Sequence, residues 1–298
     1  MAAPVTAEDL FDPEFLESLQ RLRMVALRVP RGGRFAEQRS KALGTGIEFH
    51  DYRPYSPGDD LRAIDWNIYR RLGRVFLRLF EELEDLPVYL LPDVSRSMWL
   101  EDPPRAHACL RSAMAFTAIA LGQHDRVGVF PFSDDMQVLM RPRSGWSSLP
   151  AFAQRMSSLG PGGSTDLTRA LRRFDGMGLR RGLVVVLSDF FDPRGADALV
   201  DALKKVRHSM VLVQLARAGD RDPALQGDLR LRDCESGESE DVTVTPTLLT
   251  RYRESYDRHQ RTLTDFAQRR GIGFVRVDAD QPVVEQLAHL FEGGRLEA

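Results

Sequence analysis

The sequence predicts an α/β protein in which a mostly parallel sheet lies between helices. Three short apolar runs, at 86–92, 183–187 and 210–215, are typical of strands that are buried on both faces. Segments in which apolar residues recur at helical spacing separate these runs along the chain. Because strands that alternate with helices pair in parallel through right-handed crossovers, we expect one parallel sheet in this part of the chain.

The predicted helices start and stop at residues that favour helix ends. Asp12 and Pro13 are a favourable N-cap and first helical position, and Pro30 ends this first helix. Pro104 opens the helix after the first strand, and Gly271 stops the longest one. The other predicted helices lie at 149–159, 168–177, 194–207, 247–270 and 282–291.

The remaining strands are predicted from weaker patterns. The strand at 127–132 contains Pro131, and we expect a bulge there because proline cannot donate a hydrogen bond to the ladder. Residues 136–140 follow a polar turn and are predicted to form a hairpin strand at the sheet edge. A polar hairpin is expected at 229–245 and a last strand at 274–277.

Size and composition indicate a soluble globular protein. The 298 residues carry a formal net charge of −2, which gives no overall attraction to nucleic acid or acidic membranes. The two cysteines lack metal-ligand spacing and fit a reducing compartment. Acidic residues near the N-terminus argue against a signal peptide, and no apolar run approaches the roughly 18 residues of a membrane helix. We therefore expect a cytoplasmic protein without direct membrane insertion.

Two domains are expected, an N-terminal extension over residues 1–85 and an α/β domain over residues 86–298. The extension is predicted to be helical and irregular. Its stretch from Arg21 to Phe80 contains thirteen basic residues against six acidic ones. A solvated surface is favoured here over a surface for an anionic partner, because blocks of like charge are usually solvated.

The middle of the extension is dense in Asp, Arg and aromatic residues. Turn residues precede Asp59 and Asp60, and either carboxylate is a candidate cap for a short helix that runs through Trp66. A structural role is favoured over catalysis: Arg62 and Asp65 would form an ion pair, and Trp66 would pack in a core.

Oxygen-bearing side chains follow three strand or loop ends of the predicted α/β domain. They are, in chain order, Asp93, Ser95, Ser97, Thr165 and Asp189. Thr165 follows a glycine-rich loop and is chosen over the adjacent Ser164 from its distance to the following helix. Because ligands bind beyond the carboxyl ends of the strands in open parallel sheets, we expect these side chains at one edge of the sheet.

Carboxylates and hydroxyls are hard oxygen ligands, which suit Mg²⁺ or Mn²⁺. If Asp93 and Asp189 bind through water, the cation keeps most of its charge and attracts a further anionic ligand. A Glu or Asp from another protein can supply that oxygen. The alternative is that these residues only cap the helices that follow the strands. Capping would be favoured for any one residue alone, whereas the whole set favours a metal site.

Two parts of the sequence resemble known families. The turn Asp93–Ser97, together with Thr165 and Asp189, resembles the metal-ion-dependent adhesion site of von Willebrand factor A domains. The bacterial family called domain of unknown function 58 is similar in several further segments, namely Glu48-Phe49, the stretch from Arg53 to Asp60 with its Pro-Gly-Asp-Asp sequence, Arg62 to Trp66, and the residues Asp233, Gly237 and Glu238.

The resemblance implies a doubly wound, mostly parallel six-stranded sheet over residues 87–291, with one antiparallel edge strand. It also implies a non-enzymatic, metal-dependent protein-interaction module. Members of the family are commonly encoded beside MoxR-type AAA+ ATPases. This implies an adaptor that helps such an ATPase act on client proteins in assembly, maturation or cofactor insertion. The partner would be the ATPase, or a client that presents an acidic residue to the metal.

An enzyme, such as a metal-dependent phosphoesterase or another hydrolase, is the alternative for the same residues. It needs a nucleophile or a base near the metal, and His107 is the histidine expected nearest to it. Ser95 stands where a D-x-D phosphatase motif has its second aspartate. A nucleic-acid binder is disfavoured, because few aromatic residues interleave the basic ones.

Overall fold

The computed structural model describes residues 12–28, 43–44, 48–56, 59–81 and 87–292. The chain forms two compact units, one made of Met1–Val29 and Leu86–Ala298, the other of Pro30–Asp85. The first helix, α1 (Pro13–Arg28), therefore belongs to the larger unit, and its start is fixed by Asp12, which accepts the Phe15 N–H at 2.7 Å. The division into domains after residue 85 stays a prediction.

The smaller unit contains a three-stranded antiparallel sheet that the sequence did not predict. Its strands are β1 (Leu43–Gly44), β2 (Glu48–Pro54) and β3 (Phe76–Glu81), in the order β1-β3-β2. The prediction of a helical and irregular extension is therefore corrected. Neither β2 nor β3 contains a β-branched residue, the residue type that marks strands most clearly in a sequence.

The short helix of this unit, α2 (Trp66–Leu72), begins at the residue where a helix was predicted to end. Asp65 is its N-cap and accepts the N–H groups of Asn67 at 2.8 Å and Ile68 at 3.1 Å. Trp66 is 58% exposed, so the prediction of a core tryptophan is wrong. The side chain points from the first turn of the helix into solvent.

Asp59 has a different partner from the one predicted. Its carboxylate accepts the Ser56 N–H at 2.8 Å and forms an ion pair with Arg53 at 2.7 Å. The hydrogen bond from Ser56, followed by the one from Arg53, lowers the pKa of Asp59. Pro57-Gly58 and the side chain of Arg62 lie outside the described residues, and with them the predicted ion pair to Asp65.

A six-stranded sheet forms the centre of the larger unit. The strands of this unit are β4 (Pro87–Pro92), β5 (Arg126–Val129), β6 (Met140–Arg143), β7 (Leu183–Ser188), β8 (Ser209–Ala216), β9 (Gly227–Arg232), β10 (Ser239–Val244) and β11 (Gly273–Asp278). The main sheet has the order β11-β8-β7-β4-β5-β6, and β9 and β10 form a separate hairpin. Neighbouring strands of the main sheet pair in parallel, except β5 and β6, which pair in antiparallel orientation. This is the architecture that the resemblance implied, and the predicted fold class is confirmed.

Helices cover both faces of this sheet. They are α3 (Arg105–Gly122), α4 (Leu149–Ser157), α5 (Leu167–Gly176), α6 (Gly195–Leu203), the single turn α7 (Ala218–Arg221), α8 (Pro246–Arg270) and α9 (Val283–Glu292). An apolar cluster with α1, α3, α4 and α9 packs on one face, and another with α5, α6 and α8 packs on the opposite face. Along β4, Val88 and Leu90 join the first cluster, whereas Tyr89 and Leu91 join the second. Among the described helices, none is long and apolar enough to span a bilayer.

The edge of the sheet departs from the prediction. Strand β5 ends at Val129, before Pro131, and the irregularity in its pairing with β6 lies between Val127 and Val129 instead of at that proline. Strand β6 begins at Met140, where the predicted strand 136–140 ends. Backbone pairing nevertheless continues past Pro131. The Phe132 N–H donates to the carbonyl of Pro92 at 3.0 Å, and the Gln137 N–H donates to the carbonyl of Pro131 at 2.9 Å, so part of the predicted hairpin at 136–140 does pair with the segment after β5.

The strand order reverses between β4 and β7. From β4 the chain builds the sheet towards β5 and β6, and it then returns to build β7, β8 and β11 on the other side. Such a switch point opens a crevice at the carboxyl ends of the two strands, which is where ligands bind in open α/β sheets. Asp93 and Asp189 directly follow these two strand ends.

Candidate functional site

Asp93 is a fully buried carboxylate at the end of β4. Its N–H donates to the carbonyl of Leu187 at 2.8 Å, so the residue is still tied to β7. The carboxylate accepts the Ser95 N–H at 2.9 Å and the Ser188 hydroxyl at 2.7 Å. Burial raises the pKa of Asp93, and the hydrogen bonds from Ser188 and Ser95 oppose this rise.

Ser95 and Ser97 present their hydroxyls side by side. The two Oγ atoms lie 3.0 Å apart, with Ser95 fully buried and Ser97 half-buried. The 3₁₀ turn Arg96–Trp99 sets the spacing between them. Since Asp93 also accepts the Ser95 N–H, one tight turn carries three of the predicted site residues.

The glycine-rich loop lies directly against this turn. The Gly162 N–H donates to the carbonyl of Val94 at 2.7 Å, and the Arg96 N–H donates to the carbonyl of Gly163 at 3.0 Å. A β-carbon on Gly162 would come within 2.6 Å of the Ser133 hydroxyl oxygen. Close backbone approach therefore requires glycine at this position.

Thr165 at the end of the loop is buried, whereas the neighbouring Ser164 is exposed. The next residue, Asp166, caps α5 by accepting the Arg169 N–H at 2.7 Å. Arg194 also pairs with Asp166 at 2.5 Å and so ties the loop to the segment that follows β7. The loop hydroxyl that turns away from solvent is thus the one chosen from the sequence.

Asp189 completes the predicted set from the neighbouring strand end. Its carboxylate accepts the Phe191 N–H at 3.1 Å. Burial, and next the charge of Asp93, raise the pKa of Asp189 to about 7. Phe190 has a φ of 62°, a left-handed conformation that is uncommon outside glycine and is often found at functional sites.

Arg105 is a residue of the site that sequence reasoning missed. Its buried guanidinium donates to Glu101 at 2.8 and 3.1 Å and to Asp220 at 2.6 and 3.1 Å, and it lies 3.8 Å from Asp189. Burial alone would lower the pKa of Arg105, but the hydrogen bonds to Glu101 and Asp220 outweigh it, so the pKa is raised. The available signal was an arginine in the first turn of a helix, where the helix dipole disfavours positive charge.

Glu235 is the second residue that was missed. It lies in the turn between β9 and β10, and its Oε2 accepts the Thr165 N–H at 2.8 Å while its Oε1 accepts the Thr165 hydroxyl at 2.8 Å. Burial is the main cause of the raised pKa of Asp93, and the charge of Glu235 adds to it. The acid-rich hairpin tip was visible in the sequence, but its target 70 residues away was not.

The donor set fits a divalent cation that is held through hydroxyls and water. Within the described ranges, no three His, Cys, Asp or Glu side chains are close enough to hold a metal by themselves. Among the described residues, the Asp93 carboxylate accepts hydrogen bonds from an amide and a hydroxyl and makes no ion pair. A cation among Asp93, Asp189 and the hydroxyls would relieve the repulsion that raises the pKa of Asp189.

His107, the histidine expected nearest to the site, has an aromatic partner. Its ring packs edge to face on Trp99, with 6.3 Å between the ring centroids. This contact belongs to the packing of α3 on the turn after β4 and gives the ring a structural role.

Comparison with known proteins identifies relatives over most of the chain. The sequence profile of the family described as "Protein of unknown function DUF58" matches residues 51–262. Uncharacterized protein Rv1480 of Mycobacterium tuberculosis (strain ATCC 25618 / H37Rv) is 24% identical over 245 residues, which cover 80% of this chain and 77% of that protein.

The solved structures to which the chain shows similarity are more distant. The conserved hypothetical protein BatB from Bacteroides thetaiotaomicron is 16% identical, with a TM-score of 0.41, over 70% of this chain and 98% of that chain. The ArnB paralog VWA2 from Sulfolobus acidocaldarius is 20% identical, with a TM-score of 0.35, over 45% of this chain and 36% of that chain. Similarity at this level carries no ligand or activity over to this protein. The family profile, by contrast, spans well over half of the sequence, and the chain therefore belongs to the DUF58 family of proteins of unknown function.

Proposed function

We propose that this DUF58 protein is a non-enzymatic protein-interaction module whose site binds Mg²⁺ or Mn²⁺. The observation that supports this most strongly is the environment of Asp93. The carboxylate is fully buried, and a second buried carboxylate of raised pKa, Asp189, lies in its electrostatic field. Burying charge without a counter-charge is costly, so a cation at this place would explain the arrangement.

The hydroxyls of Ser95, Ser97 and Thr165 would hold the ion, and Asp93 and Asp189 would reach it through water. Mg²⁺ binds hard oxygen ligands of this kind and usually keeps several waters. When bound, the ion supplies a positive centre that can accept one more carboxylate oxygen. Because hydroxyls and water leave most of its charge unneutralised, an acidic side chain is the ligand that the site would select.

The partner that we propose is a MoxR-type AAA+ ATPase, or a client of such an ATPase, with an exposed Asp or Glu. The chain belongs to the DUF58 family, and the resemblance to that family implies a MoxR-type ATPase as the partner. The sequence contains no G-x-x-x-x-G-K-[ST] motif, so nucleotide hydrolysis would be the task of the partner. This chain would supply recognition of the acidic residue.

Metal binding by matched variants tests the first part of the proposal. We expect Mg²⁺ and Mn²⁺ to bind one-to-one to the wild type and to raise its melting temperature. Asp93→Asn should lose this shift while its far-UV circular dichroism stays unchanged. Thr165→Ala should weaken binding, whereas Ser164→Ala, which removes the exposed neighbouring hydroxyl, should not.

Capture of a purified MoxR-type ATPase tests the second part. Capture should require Mg²⁺ and should be lost both in EDTA and with Asp93→Asn. Equal capture by wild type and variant, in metal and in EDTA, would show that the interaction does not use this site. Steady hydrolysis of p-nitrophenyl phosphate that Asp93→Asn abolishes would instead indicate the phosphoesterase alternative.

A further inference from the structure

The tip of the β9–β10 hairpin places a carboxylate on a residue of the proposed metal site. Glu235 uses both carboxylate oxygens on Thr165, one for the backbone N–H and one for the hydroxyl, each at 2.8 Å. Thr165 is one of the three residues whose hydroxyls would hold the ion. The contact therefore involves a proposed ligand directly and is more than a surface contact nearby.

The hairpin turn is built to hold Glu235 in this position. The Asp233 carboxylate accepts the N–H groups of Glu235 and Ser236, each at 2.7 Å. Gly237 closes the turn with a φ of 78°, and its N–H donates to the carbonyl of Asp233 at 3.0 Å. The backbone at Glu235 is thus fixed by the turn itself, independently of Thr165.

The hairpin as a whole is only loosely tied to the core. Strands β9 and β10 pair with each other and belong to no larger sheet among the described strands. Most side chains of Gly227–Arg232 and Ser239–Val244 are exposed. A movement of the hairpin would consequently expose little apolar surface, and it could leave the site without unfolding the α/β domain.

Glu235 also lies within electrostatic reach of the buried carboxylate of Asp93. Burial is the main cause of the raised pKa of Asp93, and the charge of Glu235 adds to it. Burial and the nearer carboxylates raise the pKa of Cys234, which precedes Glu235, and the charge of Asp189 adds to this rise. Like charges repel one another, and Asp93 at least is shielded from water. A divalent ion held near these carboxylates would attract each of them and so offset their mutual repulsion.

We infer that Glu235 is an internal acidic ligand of the metal site, occupying in the free protein the place that a partner's carboxylate takes in the complex. This inference rests on the proposed function. Binding of the partner would then require its Asp or Glu to displace the hairpin. The β9–β10 hairpin would compete with other acidic ligands for the metal, so that only a well-placed or multivalent acidic partner would displace it.

The inference is tested with Mn²⁺ alone as the probe, on the wild type, Glu235→Gln and the control Glu238→Gln. Glu238 lies in the same turn with an exposed side chain, so the control removes the same charge without the contact. Loss of one charged ligand should weaken Mn²⁺ binding by about tenfold in Glu235→Gln and leave Glu238→Gln unchanged. The water-proton relaxivity of bound Mn²⁺ should rise in Glu235→Gln, because a water replaces the carboxylate. Added acetate should lower it again.

A second measurement tests the contact without metal. Thr165 donates its N–H to Glu235, so hydrogen exchange of that amide in EDTA should be faster in Glu235→Gln than in Glu238→Gln. If Mn²⁺ binds all three proteins with the same affinity and relaxivity, Glu235 only caps Thr165 and the inference is overturned, while the proposed function stands. If Mn²⁺ does not bind the wild type, both are overturned.

Discussion

Arg105 and Asp189 lie 3.8 Å apart at the edge of the candidate site, one from the start of α3 and the other from the end of β7. The guanidinium is shared with Glu101 and Asp220, so this single buried cation serves three carboxylates. Burial is the main cause of the raised pKa of Asp189. The charge of Asp93 adds to this rise, whereas the charge of Arg105 opposes it. Arg105 therefore partly neutralises Asp189, whereas Asp93 accepts only uncharged hydrogen-bond donors among the described residues.

Replacing Arg105 by methionine should destabilise the fold strongly. The change keeps most of the apolar volume but removes the counter-charge of Asp189 and Asp220, whereas Glu101 keeps an ion pair with Arg217 at 3.3 Å. Breaking a buried ion pair from one side typically costs about 3–5 kcal/mol. Urea unfolding in EDTA measures the loss.

Arg111→Met is the matched control on the same helix. Arg111 pairs with Asp12 at 3.0 Å, but both side chains are more than a third exposed, so the expected loss is about 1 kcal/mol or less. Equal losses for the two variants would show that the Arg105 network has no special weight.

Gly162→Ala should separate the loop from the turn that carries Asp93. The added β-carbon would meet the Ser133 side chain at 2.6 Å and the Val94 carbonyl at 3.0 Å. Crowding of this kind costs about 1–3 kcal/mol. Because the loop carries Thr165, Mg²⁺ binding should weaken in the same variant.

Gly160→Ala provides the comparison, because its β-carbon would meet nothing within 4 Å. Its stability and metal affinity should match those of the wild type. The double variant Gly162→Ala, Ser133→Gly should recover part of the loss. Failure to recover any of it would show that the clash with Ser133 is not the cause.

Acid should destabilise the protein in part through His208. Its ring packs against Tyr89 and Phe174, and its Nδ1 accepts the Gly182 N–H at 3.2 Å. Burial lowers the pKa of His208, so the unfolded chain binds the proton more readily than the folded protein. The stability that this group contributes is complete above about pH 6.5 and is lost as the pH falls through the lower folded value.

His208→Phe keeps an aromatic ring in the same place and removes the titration. Its melting temperature should therefore fall less than that of the wild type between about pH 7 and about pH 5. Thermal unfolding in EDTA at the two pH values compares the proteins. Parallel pH profiles for the two would contradict the role of His208.

The central strands could be predicted because their apolar runs leave little choice. Strands β4, β7 and β8 are buried on both faces, and this burial is encoded in consecutive residues. That Asp93, Ser95 and Ser97 lie together could be predicted for a related reason, since one turn directly after β4 carries them all. Edge strand β6 was misplaced, because a half-exposed strand interrupted by proline has no such pattern.

The contacts that complete the site could not be predicted, because they join distant segments. Arg105 meets Asp220 across 115 residues, and Thr165 meets Glu235 across 70 residues. No local spacing encodes either pair. Trp66 shows the converse, since its large apolar side chain predicted burial, yet the helix that starts there exposes it.

Diffraction from crystals grown with Mn²⁺, recorded near the manganese absorption edge, tests metal binding most directly. We expect one strong anomalous peak within coordination distance of the hydroxyl oxygens of Ser95, Ser97 and Thr165, with Asp93 and Asp189 in the surrounding shell. The peak should be absent from crystals of Asp93→Asn grown in the same way. No peak at these hydroxyls in the wild type, at Mn²⁺ concentrations that saturate any binding in solution, would contradict the metal site on which the proposed function depends.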